Sequence, residues 1–372
     1  MNKGFLLTTG LLAGTIIGAG IFSLPYVVSQ VGVLAGLFYL AAFTLVYFVI
    51  HIMYAKLVEK EGGRHQFFYL ANLYLPKKIS RVVSFLILAG LFFILTVYLI
   101  LAPTFAGLIF GPSASSGLIA LFIFWFLSSV FIFAKLSFLD WAELLGTLSI
   151  VAIVLIIFFV GLKEPFHAPF LKHISWPLFF LPFGPLLFSL AGRPAISKMV
   201  EGHRQAKAEG RNFSLRKTIF WGTAIPALVY ILFVIGILRL NPNVSPEALN
   251  SLNFLSPFFL ALLGILGLLT LWTSYFVIGA NIKDVLRLDL KKSAWFSSLA
   301  VLTLPLILYF LGLKNFLTAI SFTGGVFLGL EGIFVIAMWR KAFPKNKWRK
   351  FSRALYIIFA LAIAYGIISL FF

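Results

Sequence analysis

The chain contains no cysteine, which excludes disulfides, thiolate nucleophiles and cysteine-ligated metals. Charge is scarce: Asp, Glu, Lys and Arg together make up 11% of 372 residues. A soluble domain covers its surface with about 25% charged residues, so this chain has little to offer water. Acidic residues are fewest, 11 against 30 lysines and arginines. The five histidines (His51, His65, His167, His173 and His203) show no metal-ligand spacing such as H-E-x-x-H. No loop of the form G-x-x-x-x-G-K-[ST] occurs, so the chain does not itself use ATP.

What fills the sequence is apolar. Hydrophobic residues reach 61%, phenylalanine alone occurs 44 times, and mean hydropathy is +1.05. Lipid is the solvent that suits such a chain. The net charge of +19 would suggest nucleic acid in a soluble protein. Here the basic residues sit in short gaps between apolar runs, which fits a membrane face and no nucleic acid. The first run, about 5–31, exceeds a signal-peptide core of about 7–15 residues and reads as a retained span.

A span needs roughly 20 apolar residues. By that rule eleven are expected, numbered here in chain order: 5–29, 33–57, 82–109, 117–135, 141–162, 177–199, 217–239, 254–282, 294–312, 316–339 and 352–371. With the N-terminus cytoplasmic, the outer loops hold only Lys163, Lys172, Arg239 and Lys314. Arg193 lies within a span, and the other 25 of the 30 basic residues fall inside. This positive-inside asymmetry supports the count and orientation, with the C-terminus outside and the protein in the cell membrane. Shifted by 172 residues, span 1 lands on span 6, span 3 on span 8 and span 5 on span 10. Five is odd, so the second unit enters from the opposite side: an inverted repeat, a signature of secondary transporters. The expected units are 1–162, 177–339 and an additional C-terminal helix, 351–372.

Span 1 reads Gly14-Thr15-Ile16-Ile17-Gly18-Ala19-Gly20-Ile21-Phe22-Ser23-Leu24-Pro25. Pro25 has no N–H to serve the Ile21 carbonyl, and Gly18 and Gly20 let the backbone leave helical geometry. Gly14-xxx-Gly18 alone reads as a helix-packing motif; the whole run reads as a break. A break exposes N–H groups that attract a carboxylate, and carbonyls that hold a cation. Such backbone is tolerated in a membrane only inside protein or along a cavity. Span 6 supplies a matching element, Phe188-Ser189-Leu190-Ala191-Gly192-Arg193-Pro194-Ala195-Ile196. Paired interruptions in two halves are the sequence pointer to a transporter site.

The span 1 motif resembles the first-helix signature of the aromatic (tryptophan/tyrosine) amino acid permeases, in the amino acid–polyamine–organocation superfamily. Glu61-Gly62-Gly63-Arg64-His65-Gln66 through Tyr74-Leu75-Pro76-Lys77-Lys78 resembles the loop after their second span, and Phe188 to Ile196 their sixth. The resemblance implies an all-α polytopic LeuT-type fold and ion-coupled symport of an amino acid, neutral or aromatic. It implies that the backbone at Gly18, Ala19, Gly20 and Ile21 receives the substrate carboxylate. Ser189, Leu190, Ala191 and Gly192 would contact the amino group or side chain. Two departures stand out. Ser197-Lys198 replaces the family's Pro-Glu pair, and Arg193 replaces a neutral residue.

Arg193 and Glu331 each lie 16 residues into their spans, about 24 Å along at about 1.5 Å per residue. They are expected at similar depth, as an ion pair or with a gating or coupling role. Thr270, Thr273 and Ser274 on span 8 offer hydroxyls. In sodium-coupled relatives that span binds the ion, which makes Thr273 and Ser274 a candidate site, although such groups also serve neighbouring carbonyls. Tyr98 is a candidate site-lining aromatic, and His51, near the inner end of span 2, reads as an interfacial residue ahead of a proton relay. No cofactor is expected beyond a coupling ion, proton or sodium, and the oligomeric state is open. Two other classes compete with a permease: a membrane-embedded enzyme, which would want clustered His, Asp or Glu, and a non-transporting sensor.

Overall fold

Long helices account for almost everything that the computed structural model describes, namely residues 3–62, 67–111, 113, 117–132, 136–165, 171, 176–210 and 213–371. Gly63, Arg64, His65, Gln66, Lys135, His167, Lys172, His173 and Arg211, used above, lie outside the described residues. A backbone in lipid must satisfy its own polar groups, so apolar runs become helices. Among the described residues eight helices are long and apolar enough to cross a membrane: Val33–Lys60, Lys77–Phe110, Leu144–Gly161, Leu178–Ala208, Leu215–Leu240, Pro257–Arg287, Phe316–Ala342 and Lys347–Ile368. The bent pair Gly4–Ile16 and Ala19–Val31 adds span 1, and the shorter apolar helices Leu118–Phe131 and Ala294–Phe310 add spans 4 and 9. Each of the eleven expected runs thus falls on a helix or bent pair, and among the described residues nine of these are long and apolar enough to cross. A short helix, Phe67–Tyr74, follows span 2.

Phe38, Phe85, Phe110, Ile119, Phe159 and Trp295 stand exposed on the outer surface. So much exposed apolar area is a liability in water and is what a lipid-facing surface requires. Inside, packing partners pair off when the two sets of five spans are exchanged. Span 3 packs on span 8; span 5 on span 7 is matched by span 10 on span 2; span 1 on span 7 is matched by span 6 on span 2. Spans 4 and 9 meet through Trp125, whose Nε1–H donates to the Leu302 carbonyl at 3.0 Å.

Span 10 is not a plain α-helix. It runs α over Phe316–Phe322, opens to a π-helix over Thr323–Leu328, and resumes over Gly329–Ala342. The wide turn holds Gly324 and Gly325 against neighbouring backbone. A Cβ on Gly324 would collide with the Gly184 carbonyl oxygen of span 6, and one on Gly325 would lie 2.7 Å from the Ala362 oxygen of span 11.

Candidate functional site

Span 1 is α-helical over Lys3–Ile16, extended at Gly18 (φ −145°, ψ −166°), 3-10 over Ala19–Ser23 and α-helical again over Leu24–Val31. The two halves bend by 48°. Pro25 occupies the first turn of the second helix, where its missing N–H costs nothing. The Ile21 carbonyl that Pro25 cannot serve takes the Leu24 N–H instead, which is what the 3-10 winding achieves. Span 6 follows the same logic. Its helix Phe183–Leu190 stops, Ala191 and Gly192 are non-helical, and Arg193–Ala208 restarts with Pro194 in its first turn.

The two interruptions abut. A Cβ on Gly20 would lie 2.5 Å from Ser189 Oγ and 2.7 Å from Ser189 Cα. Gly20 is therefore a contact between the two spans. Gly18 differs: only the Ile16 carbonyl oxygen, at 3.9 Å, comes near its Cβ position. Gly18 and Ala191 are half-buried, whereas Ala19, Gly20, Ile21, Ser189, Leu190 and Gly192 are buried. Gly192 packs on Ile16 and Leu12, and the Ser189 hydroxyl donates to the Pro185 carbonyl at 2.7 Å.

Helix ends leave carbonyls and N–H groups without intrahelical partners. Here tyrosines take them up. The Tyr230 hydroxyl of span 7 lies 2.8 Å from the Ile16 carbonyl and 2.6 Å from that of Ser189, one at each break. Its oxygen also accepts the Gly18 N–H. On span 2, Tyr39 donates to the Phe179 carbonyl at 3.0 Å and Tyr47 to that of Leu187 at 2.6 Å, while Tyr54 hydrogen-bonds Arg193 and Ser197. Tyr39, Tyr47 and Tyr54 are two helical turns apart, so one face of span 2 follows span 6 past its break. The sequence reading missed this ladder; the 39–47–54 spacing was its only signal, and nothing singled out Tyr230.

Tyr98 is buried and hydrogen-bonds Ser274, joining a candidate substrate residue to a candidate ion residue. The Thr273 hydroxyl donates to the Thr270 carbonyl at 3.0 Å, and that of Thr270 to the Gly146 carbonyl of span 5 at 3.2 Å. Arg193 Nε stands 2.7 Å from Glu331 Oε1, with the two side chains 13% and 12% exposed. The guanidinium carbon lies 4.8 Å from the Phe67 ring centre and 5.9 Å from that of Tyr54. The pair therefore ties span 6, just past its break, to span 10. His51, near the inner end of span 2, is fully buried within the protein. Among the described residues no group of three or more His, Asp or Glu is placed to hold a metal.

Solved structures of similar architecture include transporters. MhsT in complex with L-phenylalanine is 16% identical, covers 99% of this chain and 98% of its own, and gives a TM-score of 0.63. A nucleobase-cation-symport-1 family transporter, closed with bromovinylhydantoin bound, is 13% identical over 97% of this chain and 89% of its own, with a TM-score of 0.62. The Eremococcus coleocola manganese transporter is 12% identical over 97% and 85%, with a TM-score of 0.65. No curated protein matches the chain in sequence. Many apolar spans, halves that exchange their packing partners and two abutting broken helices define a LeuT-type secondary transporter, embedded in a membrane by many passes. Within that class the chain belongs to the transmembrane amino acid transporter protein family, which it matches over residues 1–372. It is a transporter of amino acids and not an enzyme.

Proposed function

We propose that this transporter carries neutral amino acids, aromatic ones included, across the cell membrane by ion-coupled alternating access, with its N-terminus cytoplasmic and its C-terminus outside. The observation that carries the reading is the pair of abutting breaks with open space at Gly18. N–H groups opening a helix attract an anion, so the backbone from Gly18 to Ile21 receives the substrate carboxylate, which takes the place of the Tyr230 hydroxyl at the Gly18 N–H. Gly18 is the point of entry, and Gly20 keeps spans 1 and 6 together. Carbonyls at the end of the first helix of span 6, from Ser189 to Gly192, suit the ammonium group, and Tyr98 borders the site.

Among the described residues the interior charges at the breaks, Arg193 and Glu331, neutralise each other and leave none for an acidic or basic substrate side chain. Phe22 packs edge-on to Phe105 and Phe233 at 5.0 and 5.8 Å, an apolar wall beside the break. The solved relative with phenylalanine bound points to the same class. The Arg193–Glu331 pair acts as an inner gate. Residues 1–162 and 177–339 form the two repeats and 351–372 an added helix. The coupling ion is a proton or sodium, with Thr273 and Ser274 the candidate sodium ligands.

Uptake by purified protein in liposomes tests the reading. Labelled phenylalanine or leucine should exchange against the same unlabelled amino acid, and lysine and glutamate should compete poorly. Exchange of charged amino acids alone would overturn the substrate class.

A further inference from the structure

His51 lies at the interface of spans 2 and 7, with no accessible surface. Its Nδ1 is 3.2 Å from Thr223 Oγ1. The Thr223 hydroxyl spends its proton on the Ile219 carbonyl at 2.8 Å, so it can only accept from His51. Nδ1 therefore carries the ring proton, and Nε2 is left as a lone pair. That lone pair is buried without a partner. Unpartnered buried acceptors are rare, because each costs its full desolvation.

The helices packed on span 2 are the second half of span 1 and both halves of span 6, with spans 7 and 10. The titratable groups they bring inside are Tyr26, Arg193, His203, Tyr230 and Glu331, with Tyr39, Tyr47 and Tyr54 on span 2 itself. Tyr47 donates to Leu187, Tyr230 serves the two breaks, and Arg193 and Glu331 are committed to each other. None offers His51 a counter-charge here. A proton added at Nε2 would strand a cation in a dry interface, which this packing does not support. Protonated His51 thus requires an arrangement in which water or a carboxylate reaches Nε2. A ligand that binds one of two arrangements better shifts the balance between them, and a proton at Nε2 meets that condition.

We propose that His51 is the proton site of this transporter. Nε2 takes up one proton from the side to which it is open and releases it to the other, and Thr223 holds the ring so that the free nitrogen is always Nε2. The proposal rests on the ion-coupled reading above and names the ion. The histidine is a coupling residue and needs no contact with the amino acid.

Purified protein in sodium-free liposomes, with membrane potential clamped, separates the two readings. Exchange without any gradient reports transport, and accumulation driven by an inward proton gradient reports coupling. Wild type should show both, with about tenfold accumulation per pH unit for one proton per substrate. The His51→Gln variant should exchange within about threefold of wild type yet accumulate nothing. Thr223→Val, which keeps the histidine but frees its ring, should accumulate with a displaced pH midpoint. Wild-type accumulation by His51→Gln overturns the proposal, as does wild-type accumulation that requires sodium. If His51→Gln loses exchange as well, an unmoved midpoint in Thr223→Val overturns it. Absence of exchange in wild type sinks the transport reading itself, and the proposal with it.

Discussion

Removing the Glu331 carboxylate alone would leave the Arg193 guanidinium, always charged, in a site only 13% exposed. Stranding one partner of a buried ion pair costs about 3–5 kcal/mol. The aromatic faces of Phe67 and Tyr54, 4.8 and 5.9 Å away, stay in place and return about 1–2 kcal/mol. Glu331→Met is therefore expected to lose about 1–4 kcal/mol. Arg193→Met strands a carboxylate with no such cushion and should lose about 3–5 kcal/mol. The double variant replaces two charges by two thioethers of similar length and should lose less than the sum by about 2 kcal/mol or more. Reversible unfolding of the four proteins in one detergent, followed by tryptophan fluorescence, gives the cycle. Additivity within about 0.5 kcal/mol would refute a direct pair. The same proteins tested for exchange separate a gate from a brace. A gate gives variants that fold but leak substrate, whereas a brace changes stability alone.

Gly18→Leu should fold, because its backbone is extended and its Cβ position open, yet substrate binding should fall at least about tenfold, or 1.4 kcal/mol. Gly20→Ala meets Ser189 Cα at 2.7 Å and should instead lower the melting temperature; the reverse ranking would move the substrate away from Gly18. Tyr230→Phe removes the one O–H that the Ile16 and Ser189 carbonyls share and the oxygen that accepts the Gly18 N–H and should cost about 1–3 kcal/mol together with substrate affinity, read by thermal shift with and without ligand. Gly324→Ala should destabilise strongly, because its methyl group has no room beside the Gly184 carbonyl; a wild-type melting temperature would refute that packing.

The spans were legible because lipid imposes one rule on every apolar run. The breaks were legible because glycine and proline alter backbone geometry wherever they stand. What the residues at the breaks face was not. Gly18 and Gly20 look equivalent in sequence, and only the approach of Ser189 makes one a contact and the other an opening. Arg193 and Glu331 could be matched in depth from residue counts, since helical rise is fixed. Phe67, which covers the guanidinium, could not, because a loop decides its position. Tyr230 and His51 are polar groups in largely apolar helices, a pattern that fits an interface position as well as a buried one; their partners lie on other spans. The eleventh helix was visible as hydropathy, but its seat against Gly325 depends on the π-helical turn, which no local residue preference announces.

That turn sets a phase. Each residue of an α-helix advances about 100° around the axis, and a π turn absorbs one extra residue. Everything after Leu328 is thus rotated by about that angle relative to an uninterrupted span 10. Glu331 begins the first turn beyond it, so it points at Arg193 only while the extra residue stays lodged between Thr323 and Leu328. If the surplus residue passed along the helix beyond Glu331, the carboxylate would swing about a quarter turn off the guanidinium without the two charges being drawn straight apart. The latch and the defect in the helix are in that sense one part, and shortening the chain by one residue at Gly324 or Gly325 would unfasten it from a distance.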